Sequence, residues 1–108
     1  MEGNQRFVSN QPLRPNQSEA RRLEVAKSQL PFATIVSCVD SRVPPELVFD
    51  QGFGDLFVLR VAGNLSNDEI LGSIEFGIEE YRIPLVVVLG HERCGAVVAA
   101  IDAVKANA

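Results

Sequence analysis

The chain has only two cysteines, one histidine and no tryptophan in 108 residues, and it has no excess of positive charge. Two cysteines are too few for a disulfide scaffold, so the expected setting is a reducing cytoplasm with both thiols free for other work. Ten lysines plus arginines against fourteen acidic residues leave a net charge of -4, which excludes a basic footprint for nucleic acid or an anionic membrane surface. No apolar run approaches the roughly 18 residues of a membrane span. Residues 1–10 lack the apolar stretch and the small-residue cleavage site of a signal peptide. What is present is ordinary globular material: 46% hydrophobic and 22% charged residues, a mixture that argues against disorder. One domain over 1–108 is expected, burying roughly 65% of its unfolded surface.

Pro12 and Pro15 interrupt the polar first sixteen residues, which cannot form one continuous helix and read as an arm. Ser18 can cap a helix running to about residue 28, whose stripe of Ala20, Leu23, Val25, Ala26 and Leu30 is only partly apolar. Such a helix lies on the surface or docks on a partner. Residues 1–30 thus form an arm and helix ahead of a core at 31–108. In that core, residues 32–38, 56–61 and 85–90 are apolar runs without polar alternation, the pattern of strands buried on both faces. Pro44-Pro45 can open a short helix through Asp50, and Ser66-Asn67-Asp68-Glu69 has capping-box spacing for a longer one. Ile70, Leu71, Ile74, Ile78 and Tyr81 then recur at helical spacing until Pro84, and residues 95–105 read as a last helix. The alternation predicts an α/β fold with a parallel β-sheet core and flanking helices, in which ligands bind beyond the carboxyl ends of the strands.

The chemistry gathers at two of those ends. Cys38-Val39-Asp40-Ser41-Arg42 follows the first strand and His91-Glu92-Arg93-Cys94-Gly95 follows the third. A His-x-x-Cys pair plus a distant cysteine makes a Cys2His set, and three protein ligands leave a fourth position for water, the mark of a catalytic zinc site. Thiolates and imidazole suit zinc better than magnesium or calcium. Plainer readings stand beside it: Cys38 as a small buried hydrophobe, His91 as a hydrogen-bonded core residue, or a Cys38–Cys94 disulfide. Asp40 and Arg42 are either a solvated ion pair of little energetic weight or a carboxylate oriented by a bidentate arginine beside the metal. In the second case Asp40 either accepts a proton there or occupies the fourth coordination position itself. Gly52-Phe53-Gly54 lacks the third glycine of a dinucleotide loop and reads as a turn. Gly63-Asn64 is a turn or a close backbone approach. Gly72 and Gly77 each cost a helix about 1 kcal/mol relative to alanine, which points to close packing. Glu79, Glu80, Glu92 and Arg93 read as a solvated face.

Taken together, residues 38–46, Phe57 with Arg60-Val61-Ala62-Gly63-Asn64, residues 90–95, and Gly3-Asn4-Gln5-Arg6-Phe7 resemble the β-class carbonic anhydrases over nearly the whole chain. The resemblance implies that Cys38, His91 and Cys94 ligate zinc and that Asp40 with Arg42 is the catalytic dyad. Asp40 becomes a fourth ligand only in a closed state. It implies reversible hydration of carbon dioxide to bicarbonate and a proton by zinc-bound hydroxide, the metal lowering the pKa of water from ~16 towards ~7. It also implies a homodimer or higher homo-oligomer. Gln29 stands where plant-like members have a glutamine that reaches the active site, and Phe57 matches an aromatic wall of the carbon dioxide pocket. Ala62 is smaller than the usual valine, Phe76 replaces a tyrosine, Gly63 counts among the substrate-binding positions, and a backbone N–H near Gly95, at a helix start, lies where a bicarbonate oxygen would be received. Ile35 stands where bicarbonate-inhibited members have tryptophan, which argues against their second bicarbonate site although Arg60 matches one of its residues. Carbonyl sulfide or carbon disulfide hydrolases share the ligands, and a zinc-binding assembly module without turnover is a further alternative. Family members continue past the second loop with a further strand and helices, so the resemblance implies a domain shortened at its C-terminus.

Overall fold

The computed structural model describes residues 1–107. Strand β1 (Ala33–Ser37) is the centre of a three-stranded parallel sheet, flanked by β2 (Leu56–Arg60) and β3 (Val86–Leu89) in the order β2-β1-β3. The register sets Ser37 beside both Arg60 and Leu89, so all three strands end at one level. The helices are α1 (Glu2–Val8), α2 (Glu19–Glu24), α3 (Pro45–Val48), α4 (Asp68–Tyr81) and α5 (Gly95–Ala106), with a 3-10 turn at Ala62–Asn64. The α/β class and the parallel sheet are as the sequence pattern predicts.

Burial separates the strands more than the pattern suggests. Every residue of β1 is buried, β2 is half-buried, and β3 alternates between exposed and half-buried, with Val88 67% exposed. The expectation of three strands covered on both faces holds only for β1, because β2 and β3 are edges. Helix α5 contributes no buried residue and packs chiefly through its start, where Gly63 lies against Ala96 and Val97. The molecule is correspondingly elongated, with a radius of gyration of 15.9 Å where about 13 Å is usual for this length.

One local expectation holds and two are corrected. As expected, the arm is not one continuous helix: α1 covers residues 2–8 and ends ahead of Pro12 and Pro15. Gly3 sits so close to the Phe49 carbonyl that a Cβ there would collide with it, and Asn4 Nδ2 donates to the Val48 carbonyl. The arm is therefore docked on α3 of its own chain. Ser18 does cap α2, accepting from Arg21 N, but the helix stops at Glu24 rather than near 28. None of its residues is buried, and a helix this short has little to extend it without packing. Helix α4 is capped by Asn67, which accepts from Ile70 N, rather than by Ser66. Gly77 lets α4 close on the sheet: a Cβ there would lie 3.0 Å from Ile83 and 3.1 Å from Phe57.

Buried carboxylates fasten the first third of the chain. Asp50, 3% exposed, accepts from Arg6 Nε at 2.6 Å and from the backbone N–H groups of Leu13 and Arg14. Asp55 accepts from Asn16 Nδ2, Gly52 N and Arg21.

Candidate metal centre

Cys38 is the first residue past β1, His91 follows β3, and Cys94 caps α5, so the parallel sheet delivers all three to its carboxyl end. Their ligand atoms lie within 4.8 Å of one another. The two sulfurs are 3.8 Å apart and unlinked, with both cysteines buried. The disulfide reading is thus not the one the structure adopts. Arg93, between His91 and Cys94, takes a left-handed φ of 56°, a conformation that costs a non-glycine residue energy and recurs where a site over-determines it.

The histidine supplies the test of fit. His91 Nδ1 lies 2.8 Å from the Glu92 carbonyl oxygen and can only donate to it, which leaves the lone pair on Nε2. That Nε2 is buried with no hydrogen-bond partner, in a side chain 8% exposed. A buried imidazole nitrogen is ordinarily satisfied, and an orphaned one facing two thiols fits a thiophilic divalent cation. The Cys38 thiol is lowered to about 6, first by the neighbouring His91 and then by the N–H groups of Gly63 and Asp40. His91 is raised in turn, chiefly by Cys38 and then by the Glu92 carbonyl. The Gly63 N–H donates to Cys38 Sγ at 3.3 Å.

Asp40 stands at the rim. Its Oδ1 accepts from Arg42 N and Nε, both at 2.9 Å, and its Oδ2 accepts from Arg42 Nη2 at 2.6 Å. Oδ2 is also 4.0 Å from His91 Nε2. These bonds to Arg42 hold the carboxyl well below the usual carboxylate range, so Asp40 is ionised at any working pH. Arg42 Nη2 donates further to the Arg93 carbonyl at 3.1 Å, tying the two loops together.

The remaining sequence-chosen residues divide by position. Ala62, Gly63 and Gly95 lie at the same end of the sheet as the cluster. Phe57, Phe76 and Gln29 do not. Phe57 pairs with Thr34, three residues before Arg60 and about 10 Å back along the strand. Phe76 stacks on it at 6.2 Å, and the two line an apolar cavity of about 550 Å³ with Leu56 and Gly72. Gln29 lines a separate cleft with Phe53 and Tyr81. Within one chain these three stand away from the cysteines and histidine.

Three residues have roles here that the sequence reading did not assign to them. Arg60 donates through Nε to the Cys38 carbonyl at 2.8 Å and through Nη2 to the Asp40 carbonyl at 2.6 Å. The carbonyls of Glu92 and Arg93, on residues read as a solvated face, orient His91 and Arg42. A basic residue closing an otherwise apolar strand was the available signal for Arg60.

This combination of a parallel sheet, a Cys2His cluster at its carboxyl end and an Asp–Arg pair beside it has close counterparts. A profile described as carbonic anhydrase matches residues 33–108, and the chain belongs to that family. Carbonic anhydrase 2 of Mycobacterium tuberculosis is 50% identical over 104 residues, which cover 96% of this chain and 50% of the relative. The chain thus spans about half the length of the curated relatives it matches. Among solved structures, a Coccomyxa β-carbonic anhydrase in complex with acetazolamide superposes with a TM-score of 0.70 at 29% identity, covering 93% of this chain and 45% of that one. One of two tetrameric β-carbonic anhydrases from Sordaria macrospora gives 0.70 at 26% identity, covering 74% and 42%. The β class is thereby the branch of the family to which the fold corresponds.

Proposed function

We propose that the chain binds one zinc ion through Cys38, His91 and Cys94 and acts in the reversible hydration of carbon dioxide to bicarbonate. The orphaned, buried Nε2 of His91 facing two free thiols carries this reading. When bound, the ion supplies the Lewis acidity that makes water a usable nucleophile near neutral pH. The chain's own residues do the rest. Asp40, kept ionised by Arg42, can only accept hydrogen bonds. Its Oδ2, with one donor from Arg42 against two on Oδ1, is the oxygen with capacity to orient a water hydrogen beside the cluster. The bidentate hold favours Asp40 outside the coordination shell over Asp40 as a fourth ligand. The first turn of α5, led by Gly95, is the helix end that favours an anionic product.

The same geometry supports a reading of partner and setting. Phe57, Phe76 and Gln29 stand away from their own chain's cluster, so a role for them in substrate binding requires a second copy. Exposed Phe76, Leu71 and Ile78 on α4 offer that copy an apolar surface, and the tetrameric Sordaria relatives support a homo-oligomer. Free buried thiols fit a reducing cytoplasm.

Exchange of labelled oxygen between carbon dioxide and water, with zinc quantified on the same sample, tests the reading. Zinc near one per chain with exchange supports it. Zinc without exchange, but with release of sulfide from carbonyl sulfide or carbon disulfide, moves the substrate to those molecules. Zinc with neither leaves a metal-binding assembly module. Asp40→Ala should retain zinc while lowering exchange about 10²–10⁴-fold, the usual weight of a positioned proton acceptor. For the coordination shell, the zinc-edge absorption spectrum of Asp40→Asn should match that of the unaltered chain, and a marked change would make Asp40 a ligand.

A further inference from the structure

The two arginines near Asp40 do different jobs. Arg42 holds the carboxylate, whereas Arg60 never touches it. Arg60 is the last residue of β2, level with Ser37 across the sheet, and its half-buried side chain reaches over the end of β1. There its Nε and Nη2 bond the carbonyls of Cys38 and Asp40, the residues on either side of Val39. Among the described residues it makes no ion pair with a carboxylate. The two donors that reach protein, on Nε and Nη2, both go to backbone oxygens.

Those oxygens belong to the residue carrying a sulfur of the cluster and to the residue carrying the oriented carboxylate. The sheet ladder stops just short of them: the Val61 N–H still bonds the Ser37 carbonyl, and past that point β1 has no strand partner on this side. Val39 is 54% exposed, so no packing of that side chain can fix the loop. The guanidinium is rigid and planar, and its two donors set the spacing of the two carbonyls as a flexible ammonium cannot. We infer that Arg60 is a positioning residue: it extends the sheet by one side chain and holds the Cys38 sulfur and the Asp40 carboxylate in register with each other. This rests on the assignment of the cluster as a metal site and adds a residue that sets its geometry. The same bonds commit the guanidinium to the protein backbone and leave those two donors unavailable to a free anion.

Arg60→Lys and Arg60→Met test it, with far-UV circular dichroism and thermal melting to establish folding. Outer partners of ligating residues typically carry 10–100-fold in metal affinity or activity, so Arg60→Met should lose zinc to a competing chelator about 10–100-fold more readily. Arg60→Lys, able to reach one carbonyl at a time, should fall between. With cobalt in place of zinc, the sulfur-to-cobalt absorption band should shift in Arg60→Met, a signature that loss of general stability does not produce. The Asp40→Asn background separates the two halves of the role. There Arg60→Met should still weaken metal retention but should lower oxygen exchange much less than it does in the presence of Asp40. Equal retention and an unchanged cobalt spectrum in a folded Arg60→Met chain would overturn the inference. If the unaltered chain takes no metal, the metal-site assignment fails by itself, and the positioning claim is read from the metal-free protein. In that case backbone hydrogen exchange at 38–42 and alkylation of buried Cys38 must still quicken in Arg60→Met, and unchanged rates sink it. Should the Met variant not fold, the Lys variant is read in the same assays against the same outcomes.

Discussion

The loop after β1 and the loop after β3 each bring candidate ligands to the cluster, yet the chain holds them very differently. The first loop continues a fully buried central strand and is tied by Arg60 to its carbonyls, by Arg42 to the Asp40 carboxylate, and by Gly63 to the Cys38 sulfur. The second leaves an exposed edge strand and enters a helix that buries nothing. Its side-chain ties to the rest of the chain are few: the bond from Arg42 to the Arg93 carbonyl, the contact of the two sulfurs, and the approach of His91 to Cys38 and Asp40. One half of the site is built by the fold, and the other half is brought to it. A metal ion shared between the loops, as proposed, would then have a structural role on the β3 side that it would not have on the β1 side.

The largest effect should come from cutting that link. Cys94→Ser should reduce zinc content by about tenfold or more, because a three-ligand site loses a thiolate on its weaker side. Elemental analysis of reduced protein measures it, and retained zinc would break the contrast. Next, removal of zinc by chelation should quicken hydrogen exchange at 91–107 far more than at 33–43. Equal protection on both sides would mean that the second loop is as well built as the first.

The ties on the β1 side extend to the arm, and there they are electrostatic. Asp50 is lowered from the ordinary carboxylate value by its bond from Arg6 first and then by the N–H groups of Leu13 and Arg14, against the opposing effect of burial. A carboxyl lowered on folding stabilises the fold above its unfolded pKa of about 3.9, and that contribution is lost as pH falls through the lower folded value. Acid should therefore release the arm below the ordinary carboxylate range, and Asp50→Asn should release it at neutral pH with a fall in Tm. With no tryptophan in the chain, Leu13→Trp fluorescence reports the arm alone. The smallest effect is expected at the hinge between the two sides. Gly63 has φ 75°, and a Cβ there would meet Ala96 and Val97 at ordinary contact distances of 3.6 and 3.9 Å. Gly63→Ala should therefore cost only the backbone term, about 1–2 kcal/mol, read as a shift in urea midpoint. A larger loss would show that α5 is held more firmly than its burial indicates.

Much of this was legible in the sequence. The three strands, the long helix with Gly77 closing on a strand, and the cysteines and histidine at strand ends follow from apolar patterning and local spacing. The Asp40–Arg42 pair is legible for the same reason, since two residues apart in one loop are neighbours in any fold. The arm was harder. Pro12 and Pro15 dominate its reading, and nothing local announces that Gly3 and Arg6 meet Phe49 and Asp50 more than forty positions away.

By itself, then, the sequence determined the α/β class, the order of the elements and the identity of the residues that can take a metal, because each depends on contacts within a few residues or on the period of a single element. The tertiary structure decided which strands are edges and that Arg60 spends its guanidinium on two carbonyls. It also decided that Phe57, Phe76 and Gln29 stand away from their own cluster. Those outcomes depend on strand order and register, which set the distance between residues far apart in the chain, and apolar runs that look alike in sequence become buried or exposed only when that order is formed.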